Sequence, residues 1–123
     1  MAQKLTTTPN DGDYQDVIAS EAEVGTTTTE DMFDGAQTVY GMMLDNSSNA
    51  QVVYYRLYDL LDVTPASDVP DIKIRVAAST LTTIFVADGI SFSTGMSLRC
   101  TSASDDSDTT DPTAVGPAYF VGS

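Results

Sequence analysis

Short segments in which apolar and polar residues alternate place the tightest limit on what this chain can fold into. The clearest example puts Ile72, Ile74 and Val76 on one face and Lys73 and Arg75 on the other. A period of two is the signature of a half-buried β-strand, whereas an amphipathic helix repeats every 3.6 residues. Helical periodicity is weak along the chain, so the sequence predicts an all-β fold.

Further segments with the same period support this prediction and assign their faces. The predicted inward sets are Val53, Tyr55 and Leu57; Thr82, Ile84 and Val86; and Met96, Leu98 and Cys100. A short last strand is predicted around Tyr119 to Val121. Turn signals recur every ten or so residues, a spacing typical of sandwiches and barrels. We therefore predict a small antiparallel β-sandwich of jelly-roll or immunoglobulin-like type.

The first 35 residues differ from the rest of the chain. They are rich in Thr and acidic residues and hold few large apolar side chains, so they bury too little surface to offset the entropy of ordering. We expect residues 1–35 to form an extended N-terminal arm and residues 36–123 to form the sandwich domain. A segment from Asp16 to Glu23 could make two helical turns.

The net charge limits the possible partners. Eighteen acidic residues stand against five basic ones among 123 residues, which gives a formal charge of −13. Phosphate binding needs clustered Lys and Arg, and the five here are scattered, so we expect no nucleic acid partner. We expect no membrane partner either, because no apolar run is long enough to span a bilayer. The first residues lack the apolar stretch of a signal peptide, which favours synthesis in the cytoplasm.

Catalytic chemistry finds little support in the sequence. The chain has no His, so Ser-His-Asp and Cys-His arrangements and the common zinc sites are all excluded. Cys100, the single cysteine, falls among apolar positions of a predicted strand and is expected to be a small buried hydrophobe. The glycine-bearing segment Gly89 to Gly95 lacks the Lys of a phosphate-binding loop. We expect no enzyme and no cofactor.

An acidic segment in the last third of the chain is a weak candidate for calcium. Clustered Asp residues can supply several of the six to eight oxygen ligands that calcium takes. The spacing does not match an EF-hand loop, and a solvated turn whose Asp side chains accept local backbone amides is the favoured interpretation. The residues concerned are Asp105, Asp106, Asp108 and Asp111.

Four apolar residues are predicted to face away from the core. Tyr54, Tyr58, Leu81 and Phe85 all fall on strand faces opposite the predicted core set. Either one sheet is covered on both sides or a bulge shifts the faces, or these residues form a patch that meets another subunit. They are the candidate protein-interface residues.

Several motifs resemble those of a family of small bacteriophage virion proteins of the capsid decoration, or cement, type. The resemblance spans roughly residues 38 to 123, and the most specific piece is a Gly-hydrophobe-x-Phe-Ser-Thr-Gly motif. The matching segments are Leu44-Asp45-Asn46-Ser47-Ser48, Tyr55-Arg56-Leu57-Tyr58-Asp59, Asp62 to Pro70, Ile72-Lys73-Ile74-Arg75-Val76, Gly89-Ile90-Ser91-Phe92-Ser93-Thr94-Gly95 and Asp106-Ser107-Asp108-Thr109-Thr110.

This resemblance implies a virion structural protein with a β-sandwich fold and no catalytic or cofactor site. Its expected role is to bind and stabilise the phage head shell from the outer surface, with the major capsid protein and copies of itself, such as a trimer, as partners. Two alternatives stay open. One is a tail, neck or fibre-attachment component, and the other is a carbohydrate or host-surface binding module that uses tyrosines as stacking platforms.

Overall fold

The computed structural model describes residues 2–6 and 17–122, which form eight β-strands and no helix. The strands are β1 (Ala2–Thr6), β2 (Val17–Val24), β3 (Gln37–Asn46), β4 (Val53–Asp59), β5 (Ile72–Val76), β6 (Thr80–Phe92), β7 (Met96–Thr101) and β8 (Gly116–Gly122). The predicted all-β class is confirmed. No helix that could cross a membrane is found in these residues.

The strands form two sheets. The first has five strands in the order β1-β2-β8-β3-β6, and the second has three in the order β5-β4-β7. All pairings are antiparallel. The chain passes between the sheets several times, for example from β3 to β4 and back from β5 to β6. This arrangement is a small β-sandwich, as the alternation predicted.

The hydrophobic core lies between the two sheets. The five-stranded sheet contributes Ala19, Leu44 and Phe120 to the core, and the facing sheet contributes Leu57 and Leu98. All five residues are fully buried. The inward sets predicted for β4 and β7 are buried, and Ile72 and Ile74 of β5 pack against the core. On β6 the inward set is half-buried, and Ile84 packs against the core. Period-two alternation therefore assigned the faces of these strands correctly.

The boundary predicted at residue 35 needs correction, because residues 17–35 belong to the sandwich. β2 lies inside the five-stranded sheet between β1 and β8, so the helical turns expected from Asp16 to Glu23 are replaced by a strand. Ala19, Met32 and Phe33 are buried in the core. The few apolar residues of this segment suffice because neighbouring strands supply the remaining surface. The rest of the predicted arm, residues 1 and 7–16, lies outside the described residues.

The segment that follows β2 extends the second sheet. Leu98 and Thr29 exchange backbone hydrogen bonds of 2.8 and 2.9 Å, and the Met32 amide donates to the Met96 carbonyl at 2.7 Å. Residues 25–32 therefore run along the open edge of β7. As a result β7 has neighbours on both sides, and all six of its residues are buried.

The Phe-Ser-Thr-Gly part of the motif forms the turn between β6 and β7, and Asp59 at the end of β4 holds that turn. The Asp59 carboxylate accepts hydrogen bonds from the amides of Ser93, Thr94 and Gly95 at 3.0, 2.7 and 3.2 Å. Desolvation acts to raise the pKa of Asp59, but these amide hydrogen bonds outweigh it and the pKa is lowered. The two motifs thus meet in space, and their joint role is structural.

Candidate protein-binding surface

The outer face of the five-stranded sheet is apolar. Phe85 is 83% exposed, Leu81 47% and Tyr119 40%, and Met43 and Val121 are half-buried beside them. Large apolar side chains that share one exposed surface mark protein interaction sites, whereas isolated ones carry no such meaning. We call this surface the apolar outer face and define it by its residues: Ile18, Met43, Leu81, Phe85, Tyr119 and Val121.

Strand register brings these residues together from four strands. One row across the sheet runs Ile18, Val121, Gly41, Phe85, and the adjacent row runs Ser20, Tyr119, Met43, Thr83. Residues directly opposite on neighbouring strands have their Cβ atoms about 4.5–5.5 Å apart. The apolar outer face is therefore continuous across the sheet, although its members are far apart in sequence.

A shallow groove of about 320 Å³ crosses this face. Tyr40, Phe85 and Tyr119 supply its aromatic walls, and Met43 and Val121 contribute aliphatic surface. Apart from the two tyrosine hydroxyls, the side chain of Thr83 is the only polar one among the residues that line the groove. Interface cores are depleted of charge and enriched in aromatic residues and Met. The groove has the chemistry expected of a pocket for an apolar side chain of another protein.

Gly41 determines how Phe85 sits on the sheet. The two residues are direct partners across β3 and β6, and a Cβ added to Gly41 would lie 3.3 Å from the Phe85 ring. The glycine thus lets the aromatic ring lie against the strand backbone. Phe85 keeps most of its surface exposed in this position and forms one wall of the groove.

The four predicted interface residues fall into two groups. Leu81 and Phe85 lie on the apolar outer face, whereas Tyr54 and Tyr58 lie on β4 of the other sheet. Tyr54 is half-buried. Tyr58 is fully buried, so it is not part of an exposed patch, and the alternative of a sheet covered on both sides applies to this residue. The physical reason is that loops cover the outer side of the three-stranded sheet, and the Tyr58 hydroxyl accepts a hydrogen bond from Arg99 at 3.0 Å.

Several members of the apolar outer face were not predicted as site residues. Tyr119 and Val121 lie on the strand predicted at the end of the chain, where too few residues were available to assign faces. Ile18 lies in the segment expected to be an arm, and Met43 lies on a strand for which no alternation was assigned. Tyr119 and Val121 alternate with the buried Ala118 and Phe120, and this period of two could have placed the first pair on the outer face.

Arg99 on β7 is buried under the loops of the three-stranded sheet. Its guanidinium donates hydrogen bonds to the carbonyl oxygens of Asp108, Pro65 and Thr26 at 2.6, 3.0 and 3.1 Å, besides the bond to Tyr58. A buried charge is tolerated only when its donors are satisfied. Arg99 therefore ties together three separate loops.

Arg56 is the direct cross-strand neighbour of Arg99 and is also fully buried. It donates to the carbonyl oxygens of Ala103 and Asp105, each at 2.7 Å, and to the Thr101 hydroxyl at 2.8 Å. Its remaining nitrogen lies 3.7 Å from the Asp106 carboxylate. Like charges on opposite strands repel, so these acceptors are needed for the two arginines to be buried side by side.

Of the four acidic residues considered for calcium, Asp106, Asp108 and Asp111 accept hydrogen bonds from protein donors. Asp106 pairs with Lys73 at 2.7 Å, which lowers the Asp106 pKa, and the Thr26 amide and hydroxyl lower the pKa of Asp111. Desolvation acts to raise the pKa of Asp108, but hydrogen bonds from the loop outweigh it and the pKa is lowered. Within the described residues, no group of three or more acidic, His or Cys side chains is arranged to hold a metal. The favoured interpretation, a turn closed by its own Asp side chains, fits this loop.

Cys100 lies in the core between the sheets. Burial raises the pKa of its thiol to about 12. The thiolate is the reactive form of cysteine, and at neutral pH a thiol with this pKa is almost wholly protonated. Cys100 packs as a small apolar side chain, as its position in the sequence predicted.

The charges of the described side chains are divided between the two sheets. All four described cationic side chains, those of Arg56, Lys73, Arg75 and Arg99, belong to strands of the three-stranded sheet. On the five-stranded sheet, Asp45 lies opposite Leu81, and Asp88 is exposed just beyond Phe85. The apolar outer face is therefore bordered by negative charge.

Comparison with known proteins gives no match: no family model fits the sequence, and no curated protein or solved structure is significantly similar to it.

Proposed function

We propose that this chain is a structural protein of a bacteriophage particle, and within that class a decoration protein that binds the assembled head shell. The observation that carries the proposal is the apolar outer face with Phe85 at 83% exposure. An exposed aromatic beside an apolar groove is stabilised when another protein covers it. The resemblance of the sequence motifs to small virion proteins supplies the identity of that partner.

The charge of the chain supports the same role. A net charge of −13 keeps many copies soluble before assembly and disfavours binding to nucleic acid. The acidic border of the apolar outer face favours a docking site on the shell that presents an apolar projection among basic residues. Such complementarity sets the rate and orientation of docking more than its affinity.

Quantitative mass spectrometry of purified particles tests the proposal. A decoration protein that covers the head is expected at hundreds of copies per particle, because it repeats with the shell subunits. A small number of copies per particle, as in a single closed ring of subunits, would instead place the chain at the neck, tail or fibre attachment. Absence from the particle would overturn a virion role altogether.

A binding assay with purified heads tests the surface. Phe85→Ser and Tyr119→Ser remove apolar contacts from the groove and are expected to weaken binding by at least about tenfold together, since hot-spot residues each contribute more than about 1 kcal/mol. Val69→Ser is the matched control, because Val69 is 66% exposed but lies in the loop between β4 and β5. Equal binding by all variants would place the docking site elsewhere.

The carbohydrate-binding alternative depends on Tyr40 and Tyr119, which both line the groove. A sugar site also needs polar groups that fix the hydroxyls of the ligand, and besides the two phenols only Thr83 offers such a side chain among the lining residues. A glycan array distinguishes the two roles. Selective glycan binding that is lost in Tyr119→Ser would favour the carbohydrate module over the structural role.

A further inference from the structure

The last strand of the five-stranded sheet, β6, has an open edge. β6 pairs with β3 on one side, and no strand of the described part of the chain pairs with it on the other. From Thr80 to Phe85 the pairing with β3 is continuous, one residue against one, and the irregularity in register comes only after Phe85. A regular edge of this kind presents unpaired N–H and C=O groups to any strand that approaches.

From Thr80 to Phe85, this edge carries neither the charged residues and prolines nor the register irregularity that usually prevent strand pairing. Proteins protect sheet edges with Lys, Pro, bulges or covering loops. β5, the neighbouring edge of the other sheet, carries Lys73 and Arg75, and β1 contains Lys4. In contrast, Thr80-Leu81-Thr82-Thr83-Ile84-Phe85-Val86-Ala87 contains neither a charged residue nor a proline. The unprotected edge is also the one that carries the most exposed aromatic side chain.

We propose that β6 pairs antiparallel with β6 of a second copy of this chain, about a two-fold axis that passes midway between the Thr83 residues of the two copies. Opposite residues in an antiparallel pair lie on the same face, so a symmetric pairing must be centred on a residue rather than between two. With Thr83 at the centre, Leu81 of each copy faces Phe85 of the other. An aliphatic residue opposite an aromatic one is a favourable cross-strand pair.

The charges of the edge are compatible with this pairing in spite of the net charge of −13. The symmetric register places Asp88 of each copy beside the residues that precede Thr80 in the other. At about 3.4 Å per residue, the two Asp88 side chains would lie on the order of 30 Å apart. This distance is several times the Debye length of about 8 Å at physiological salt. The paired segment itself brings no like charges together.

The pairing does not depend on a virion role, because it uses the strand edge and needs no other protein. It would join two five-stranded sheets into one of ten strands and place two apolar outer faces side by side. The two-fold symmetry gives a dimer, or an assembly of dimers, and so differs from the trimer that the resemblance implied. If a strand from an unrelated chain occupied this edge instead, the purified chain on its own would stay monomeric.

Sedimentation equilibrium on the full-length purified chain tests the proposal without particles. The wild-type chain is expected to form a concentration-dependent dimer that becomes tighter from about 50 mM to about 500 mM NaCl, because salt screens the repulsion between the two acidic copies. A monomer up to the millimolar range, or a trimer, would overturn the proposal. A failed search for the protein in phage particles would leave this result unaffected.

Thr83→Lys tests the position of the axis, since it places two ammonium groups opposite each other at the centre of the pairing. Thr83 is exposed, so the variant is expected to fold, which circular dichroism would verify, and to be monomeric. Thr64→Lys adds the same charge at an exposed loop position and is expected to dimerise like wild type. A dimer that persists in Thr83→Lys would show that another surface mediates it.

Cysteine cross-linking tests the register. In the Thr83→Cys variant, the new cysteines of the two copies are expected to form a disulfide under mild oxidation. The two residues at position 83 face each other across the axis, and their Cβ separation is close to that of a disulfide. Buried Cys100 serves as an internal control and stays reduced. Thr82→Cys, which points to the core side, is expected to cross-link far less. Cross-linking that is equal at both positions would contradict the proposed register.

Discussion

The ring of Phe85 lies beside Gly41 on the neighbouring strand, so close that a Cβ added to the glycine would be 3.3 Å from the ring. Phe85 nevertheless keeps 83% of its surface exposed. Aromatic side chains bury large apolar areas and dominate the energetics of interfaces, so an exposed ring at this position is stabilised when a partner covers it. The glycine and the aromatic together make this part of the sheet suited to protein binding.

Gly41→Ala is expected to alter the groove with little effect on folding. The added methyl group would lie 3.3 Å from the Phe85 ring, and the exposed ring can move away from it. Gly116→Ala is the matched comparison, because a Cβ there would overlap the backbone carbonyl of Asp45. Overpacking against backbone costs about 1–3 kcal/mol. Urea denaturation should show near-wild-type stability for Gly41→Ala and a clear loss for Gly116→Ala; the opposite order would contradict this account.

Arg99→Met is expected to lower the free energy of unfolding by about 2–4 kcal/mol, because it leaves several buried acceptors without a donor. Arg99→Lys should recover only part of this loss, since one ammonium group cannot reach acceptors in three loops. Arg75→Met is the control: Arg75 is exposed on β5, and its replacement is expected to change stability by less than about 0.5 kcal/mol. Similar losses for Arg99→Met and Arg75→Met would argue against the role given to Arg99.

Stability is expected to fall in acid. The pKa values of Asp45, Asp59, Asp106, Asp108 and Asp111 are all lowered from 3.8 in the folded chain. A lowered pKa contributes stability that is present above the unfolded value and is lost as the pH drops through the folded value. Denaturation midpoints should therefore be flat above about pH 5 and decline below about pH 4.

Asp59→Asn isolates one part of this acid dependence. The variant should be less stable than wild type at neutral pH, because the charged acceptor for three amides is lost. The difference should shrink toward low pH, where Asp59 of the wild type is itself protonated. Parallel curves for the two proteins down to about pH 2 would indicate that the Asp59 charge contributes nothing.

The stability of the fold is also expected to fall at alkaline pH. Burial raises the pKa of Cys100 from 9.0 to about 12, and it also raises the pKa of Tyr55 above its usual value. A group with a raised pKa contributes fully below its unfolded pKa, and the contribution is lost as the pH rises toward the folded value. Stability should decline from about pH 9 upward, and Cys100→Ala should reduce the slope near pH 9 to 10. An unchanged slope would assign the decline to Tyr55 or to other groups.

Strand faces were predictable from sequence wherever one side of a strand packs on the core. The period of two alone was enough to place Ile72 and Ile74 of β5, and Leu98 of β7, on the core side. β2 was missed because its position depends on pairing with β8, nearly one hundred residues away in sequence. A strand with few large side chains, such as that around Ala19, carries no local signal strong enough to reveal such pairing.

The candidate site was predictable in part for a related reason. Leu81 and Phe85 stood out because outward apolar residues break the usual alternation. Tyr58 was also predicted to face away from the core, but loops cover the outer side of its sheet. No local sequence pattern indicates which face of a sheet a loop will cover. No sequence pattern indicated that Arg99 would be buried, because Arg side chains are almost never fully buried unless they are paired. Its burial depends on carbonyl groups supplied by distant segments.

The loop that covers the three-stranded sheet is fastened to the arginines by main-chain oxygens, from Ala103 and Asp105 to Arg56 and from Asp108 to Arg99. Every amino acid offers the same carbonyl group, so these attachments do not depend on which side chains the loop carries. Mutation can exchange many of the loop's exposed residues while its path over the sheet is kept. Apart from Asp106, Asp108 and Asp111, whose carboxylates also hold the loop, its exposed residues are therefore free to diverge, and new recognition properties could evolve there at little cost to the fold.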